Sequence, residues 1–189
     1  MKSLEDPAGS DISGHGSECG SVIIHTSALG AAGVALVETE IQLYTSFQPS
    51  RPTYDIGVDL RAINSAGNRS VNIQVKASAE KNFNIQNRWE AIPNFLVVYV
   101  WHLHSRAEAV VYVLSYEEAL EIVRLSAPRW LETRSWRECG GYGSTAPSRQ
   151  IVKAIDHYRA TPERWRVALT MAAMSPKPSS FPTTPRDVG

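Results

Sequence analysis

Residues 54–78 read "YDIGVDLRAINSAGNRSVNIQVKAS", two stretches in which polar and apolar side chains alternate, joined by "SAGN". Successive strand residues point to opposite faces, so alternation with period two marks strands buried on one side. Gly67 and Asn68 tolerate the positive φ of a tight reversal. The pattern predicts a β-hairpin with strands over 54–64 and 68–78. One face carries Ile56, Val58, Leu60, Val71, Ile73 and Val75, and the other carries Asp55, Gly57, Asp59, Asn72, Gln74 and Lys76. A turn centred on Ala66 and Gly67 sets Asp59 opposite Gln74 and Gly57 opposite Lys76, with cross-strand side chains roughly 5 Å apart. A one-residue change in the turn shifts this pairing, which keeps Asp55 as a second candidate acid.

Two readings of the polar face stand side by side. It is either a solvated face with an Asp–Lys pair, as on many half-buried hairpins, or a site. Gly57 beside the acids suggests that something approaches the backbone closely. Acids and a lysine on a central strand need partners or a ligand.

The rest of the chain frames this hairpin. With 189 residues and 43% hydrophobic content, one globular domain is expected over residues 25–174. A Gly/Ser/Asp-rich arm precedes it over 1–24, and a Pro/Ser-rich tail follows over 175–189. "SALGAAGVALVETEIQLYTSF" predicts a helix: Leu29, Leu36, Val37, Ile41 and Tyr44 recur at helical spacing after Ser27 as N-cap. Gly30 and Gly33 inside it suggest close packing or a late start, and "QPSRPT" ends it. "FLVVYVW" suits a buried strand and is too short to cross a bilayer. Residues 109–114 form a further strand, and "SYEE" after it is a capping box that opens a helix. Ser148 and Thr161 read as N-caps, the latter followed by Pro162. Helix, four strands, then helices predict an α/β or α+β domain, a central mixed sheet flanked by helices.

Charge and cysteine narrow the function classes. Formal net charge is zero, but residues 1–120 hold 8 Lys/Arg against 13 Asp/Glu, and 121–189 hold 11 against 6. The basic C-terminal third permits contact with nucleic acid. Within it, "RWLETRSWRE" interleaves Trp130 and Trp136 with Arg129, Arg134 and Arg137, which reads as a solvated helical surface or as a nucleic-acid surface. Trp101 and Trp165 read as core. Cys19 and Cys139 sit in no metal-spaced motif and, with no leader pattern, read as reduced thiols of a cytoplasmic protein. His15 with Cys19, and His102 with His104, read as incidental rather than as metal pairs.

"GVDL" followed after the turn by "IQVKAS" resembles the PD-(D/E)XK, or restriction-endonuclease-like, nuclease superfamily, in the variant with Gln in place of the last acid. The likeness runs from about residue 28 to 169 and includes "FLVVYVW", "VVYVLSYEEALEI" and "HYRATPERWRVAL". It implies a restriction-endonuclease-like core and Mg²⁺- or Mn²⁺-dependent hydrolysis of DNA phosphodiester bonds. Asp59 then matches the metal-binding acid with Asp55 as alternate, Gln74 the next ligand and Lys76 the lysine serving the attacking water. Mg²⁺ takes oxygen ligands and keeps waters, so these groups with the Val75 carbonyl suffice. Many members dimerise, which implies a homodimer. Where relatives often read G-x-x-G-E on the first helix, this chain has Val34; Glu38, one turn later, is the candidate substitute, and Glu40 points elsewhere. That departure implies an alternative, a non-cleaving binding or interaction module on the same fold.

Overall fold

The computed structural model describes residues 26–53, 57–105 and 107–175. The expected arm, with His15 and Cys19, and the tail beyond Ser175 lie outside them, as does Asp55.

The first helix, α1 (Thr26–Tyr44), lays Gly33, Val37 and Ile41 against the sheet. It is already helical at Thr26, so Ser27 lies inside it and does not cap it. Thr45 closes it, donating from its hydroxyl to the Ile41 carbonyl at 2.8 Å while accepting from the Phe47 N–H at 3.1 Å. The chain then enters β1 (Phe47–Ser50), where the sequence pattern predicts only the helix end and a breaker. β1 tolerates Pro49 because it is the sheet's edge, where a missing N–H costs no interior ladder bond.

β2 (Leu60–Asn64) and β3 (Ser70–Ala77) form the expected hairpin in the expected register, Leu60 against Ile73 and Arg61 against Asn72. Gly67 takes φ 71° and donates to the Asn64 carbonyl at 2.8 Å. The first strand is shorter than predicted, since Gly57–Asp59 is bent and not laddered. Gly57 has φ 75° and open space where a Cβ would stand, so it serves a left-handed bend and not a close approach.

β3 lies in mid-sheet. The order is β1-β2-β3-β5-β6, with β5 (Phe95–Trp101) parallel to β3 and β6 (Val110–Ser115) antiparallel to β5. All seven residues of β5 are buried, as its continuous apolar run requires. Parallel neighbours need a long crossover. Here it carries β4 (Phe83–Gln86) and a 3-10 turn at Asn87–Ala91 across one face of the sheet. β4 pairs with β7 (Gly141–Ser144) in a separate two-stranded ribbon. Four-residue segments such as "GYGS" carry almost no strand signature, so neither partner is predicted from sequence.

The sheet is covered on both faces. On one, Val37 and Ile41 of α1 and Trp165 and Leu169 of α5 (Pro162–Met174) bury Leu60, Ile73, Val75, Val98 and Val113. On the other, Phe83, Ile85 and Trp89 join α2 (Tyr116–Ser126) and α4 (Arg149–Ile155) over Val97, Tyr99, Trp101 and Leu114. Each buried side chain of this size contributes about 1.5–3 kcal/mol. Trp101 and Trp165 are core, as expected. The Ser115–Glu118 capping box forms in both directions, at 3.2 and 2.7 Å, and Ser148 and Thr161 cap α4 and α5. The short α3 (Arg134–Cys139) precedes β7. No helix among the described residues is long and apolar enough to cross a membrane. The fold is α+β, a five-stranded mixed sheet flanked by helices.

Candidate active site

Helix α1 sits so close to β3 that a Cβ on Gly33 would overlap the Ala77 methyl group and lie 3.6 Å from Val75 Cγ1. By alternation, Gln74 and Lys76 therefore point to the opposite face, over the 3-10 turn. Gln74 is 8% exposed and Lys76 half-buried. An open, solvated polar face is thus excluded for β3.

Asp59 stands one residue before β2, where its backbone N–H still donates to the Ile73 carbonyl at 2.9 Å. This holds its carboxylate opposite Gln74, as the hairpin register predicted. Oδ2 accepts the Gln74 side-chain amide and, at 2.7 Å, the Val75 backbone N–H. The Gln74 amide also lies 3.4 Å from the Val75 carbonyl. An ionised acceptor makes such bonds the strong class, about 1.5–3 kcal/mol each. Arg61 and Asn72 form the adjacent cross-strand pair on this face, 3.4 Å apart, with the Asn72 amide anchored on the Pro93 carbonyl at 2.8 Å.

The Gly57–Lys76 pair expected from the turn lies outside the β2–β3 ladder, which begins at Leu60. The Lys76 ammonium lies 5.5 Å from the centroid of the Trp89 ring, a cation–π contact with a buried indole. Burial pushes the Lys76 pKa below its ordinary value, the Asp59 carboxylate pulls it back up, and the neighbouring Arg88 guanidinium pushes it down again. Arg88 and Trp89 are site neighbours that sequence reasoning missed. "NRWEA" has no periodic signal, and only the crossover between parallel strands lays it over Lys76.

The helix acids go elsewhere. Glu38 receives Arg51 on both oxygens, at 3.0 and 3.1 Å, so its carboxylate is already committed to an ion pair. Glu40 turns to α5, accepting the Trp165 indole N–H at 2.7 Å, and burial raises its pKa against the lowering effect of that bond. Val34 packs against the core. Among the described residues no cluster of three His, Cys, Asp or Glu side chains exists. His104 pairs with Glu108 at 3.3 Å on the surface.

The basic stretch divides by contact. Trp130 donates to the Gly141 carbonyl at 3.0 Å and packs edge-on against Tyr142, and Trp136 leans on the core, so both rings are engaged within the protein. Arg134 is paired with Glu138 at 2.7 Å, Arg137 reaches the Glu132 carbonyl at 3.2 Å, and Arg129 is exposed.

Two oxygen groups, the Asp59 carboxylate and the Val75 carbonyl, therefore meet at the Gln74 side-chain amide, with the Lys76 ammonium near Asp59 and the Arg88 guanidinium near Lys76. Such a set suits a hard divalent cation and an anionic substrate. The Gln74 amide, though, turns its N–H to Asp59 and must rotate to offer oxygen. No family model and no curated protein matches the chain. Among solved structures it is similar to a bacterial homing endonuclease, I-Ssp6803I, at 15% identity over 79% of this chain and 94% of that one, with a TM-score of 0.41.

Proposed function

We propose that this chain is a metal-dependent nuclease that hydrolyses DNA phosphodiester bonds. The observation that carries the reading is the register-locked contact of Asp59 with Gln74, with half-buried Lys76 on the same strand face. Asp59, Gln74 and the Val75 carbonyl would hold Mg²⁺ or Mn²⁺, with Asp55 as a further acid. The ion, when bound, supplies Lewis-acid polarisation and lowers the pKa of a bound water. Lys76 is the group that stabilises negative charge on the attacking oxygen or the phosphate as charge develops. Half-buried over the Trp89 ring, Lys76 is partly desolvated, which makes charge interactions there stronger than at the surface. Asp59 orients the Gln74 amide and holds Lys76 toward the site by charge. A homodimer is part of the proposal, and gel filtration tests it.

The test is nicking of supercoiled plasmid with Mg²⁺ or Mn²⁺ by the wild type and by Lys76→Ala. Loss of cleavage in the variant is expected; cleavage unchanged in the variant sinks the assignment. A second reading, a non-cleaving nucleic-acid-binding or interaction module, draws on the commitment of Glu38 to Arg51, which leaves one described carboxylate at the site. Calorimetry with Mn²⁺ separates the two. Binding lost in Asp59→Ala favours the nuclease, and a folded wild type that binds no Mn²⁺ favours the module.

A further inference from the structure

Between the 3-10 turn and α3 the surface opens into a groove of about 380 Å³ lined by Gln86, Asn87, Arg88, Arg137, Glu138 and Gly140. Its two cations come from elements distant in sequence, Arg88 from the 3-10 turn and Arg137 from α3. Neither is loose. Arg88 Nε donates to Gln86 Oε1 at 2.6 Å, and Arg137 is tied to the Glu132 carbonyl at 3.2 Å. The lining acid, Glu138, is paired with Arg134 at 2.7 Å.

The groove floor is stapled. Asn87 donates its backbone N–H to the Gly140 carbonyl at 2.7 Å and its side-chain amide to the Trp136 carbonyl at 2.9 Å. Gly140, at φ 70°, leaves the space that the Asn87 amide fills, and a Cβ there would overlap it. The two segments that carry Arg88 and Arg137 are therefore tied to each other, a pre-organisation that favours holding oxyanions with both guanidiniums. Arg88 precedes Trp89, whose ring lies under the Lys76 ammonium, so one wall residue of the groove neighbours the candidate site.

We propose that Arg88 and Arg137 grip backbone phosphates flanking the reacting one, making this groove the track for a nucleic-acid strand. The inference rests on the nucleic-acid reading of the Lys76 site, and it names which surface holds the strand. Guanidiniums grip phosphate bidentately and carry no base sequence information, so the groove adds affinity without sequence preference.

The experiment is fluorescence anisotropy of a labelled oligonucleotide, single-stranded and duplex, in EDTA across a salt series. Neutralising both phosphate-gripping guanidiniums in Arg88→Gln/Arg137→Gln lowers the log–log salt slope by about 1.8 for duplex and about 1.4 for single strand. Affinity falls at least about tenfold, with melting temperature unchanged. Arg88→Lys/Arg137→Lys keeps most of the slope while losing affinity, because the charge stays and the fork does not. Gly140→Ala weakens binding with both arginines present, since it displaces Asn87. Wild-type slope and affinity in the Gln double variant overturn the groove and leave the nuclease assignment to its plasmid test. Slope loss with no plasmid cleavage supports the groove and counts against the nuclease. A wild type that binds neither probe, or that binds oligo-glutamate of equal charge as tightly, also overturns it.

Discussion

Replacing Gly33 by alanine tests the packing that sets the orientation of β3. In a helix interior, Gly→Ala ordinarily stabilises by about 1 kcal/mol, through backbone entropy and lost exposure. At Gly33 the added methyl meets the Ala77 methyl over an ångström inside the roughly 3.5–4.0 Å carbon–carbon optimum. Ala77 cannot rotate away, so either the helix lifts or the strand bends, and overpacking of this kind costs about 1–3 kcal/mol. Gly30, one turn earlier in the same helix, has open space where its Cβ would stand and supplies the control. Helix propensity cancels between the two variants, so Gly33→Ala unfolds about 1–3 kcal/mol more easily than Gly30→Ala. Urea titration followed by circular dichroism measures this, provided the m-values agree. Ala77→Gly in the Gly33→Ala background recovers part of the loss, because it removes the partner in the clash. Equal stability of the two Gly→Ala variants would refute the close approach, and with it the argument that Gln74 and Lys76 face away from α1.

Further outcomes follow from the site and from the Glu40–Trp165 contact. Asp59→Asn abolishes Mn²⁺ binding in calorimetry while Asp55→Asn weakens it, since Asp59 is the acid set against Gln74; the reverse result exchanges their roles. Lys76 titrates at lower pH in Asp59→Asn, which removes the attraction holding its proton, and at higher pH in Arg88→Gln, which removes a repulsion; amine-modification rates read by mass spectrometry check both signs. A lowered native pKa means the unfolded state binds more protons below 10.5, so the Lys76 contribution to stability rises as pH climbs through its native pKa toward that value. Glu40 has the opposite effect. Its raised pKa makes its contribution full below pH 4.5 and lost as pH rises through the native value. Glu40→Gln keeps an acceptor for the Trp165 indole and removes that loss, so the variant is more stable than wild type at neutral pH but not below pH 4.5; denaturant midpoints at the two pH values decide it.

The hairpin register, and with it the Asp59–Gln74 contact, was legible in the sequence, because a separation of 15 positions leaves few ways to close a turn. The Ser115–Glu118 box, the caps at Ser148 and Thr161 and the buried Phe95–Trp101 strand were legible for the same reason, as each is written in neighbouring residues. What surrounds Lys76 was not. Alternation assigns Gln74 and Lys76 to one face of β3, but two helical layers compete for the two faces of a sheet buried on both sides, and nothing in residues 68–78 says which takes which. The close fit of Gly33 on Ala77 decides it, sending α1 to the opposite side and leaving Glu38 to Arg51. Likewise the parallel pairing of β3 with β5 forces the crossover that brings Arg88 and Trp89 to Lys76. Pairings of that span are selected by packing summed over the whole molecule, so no local window of sequence records them.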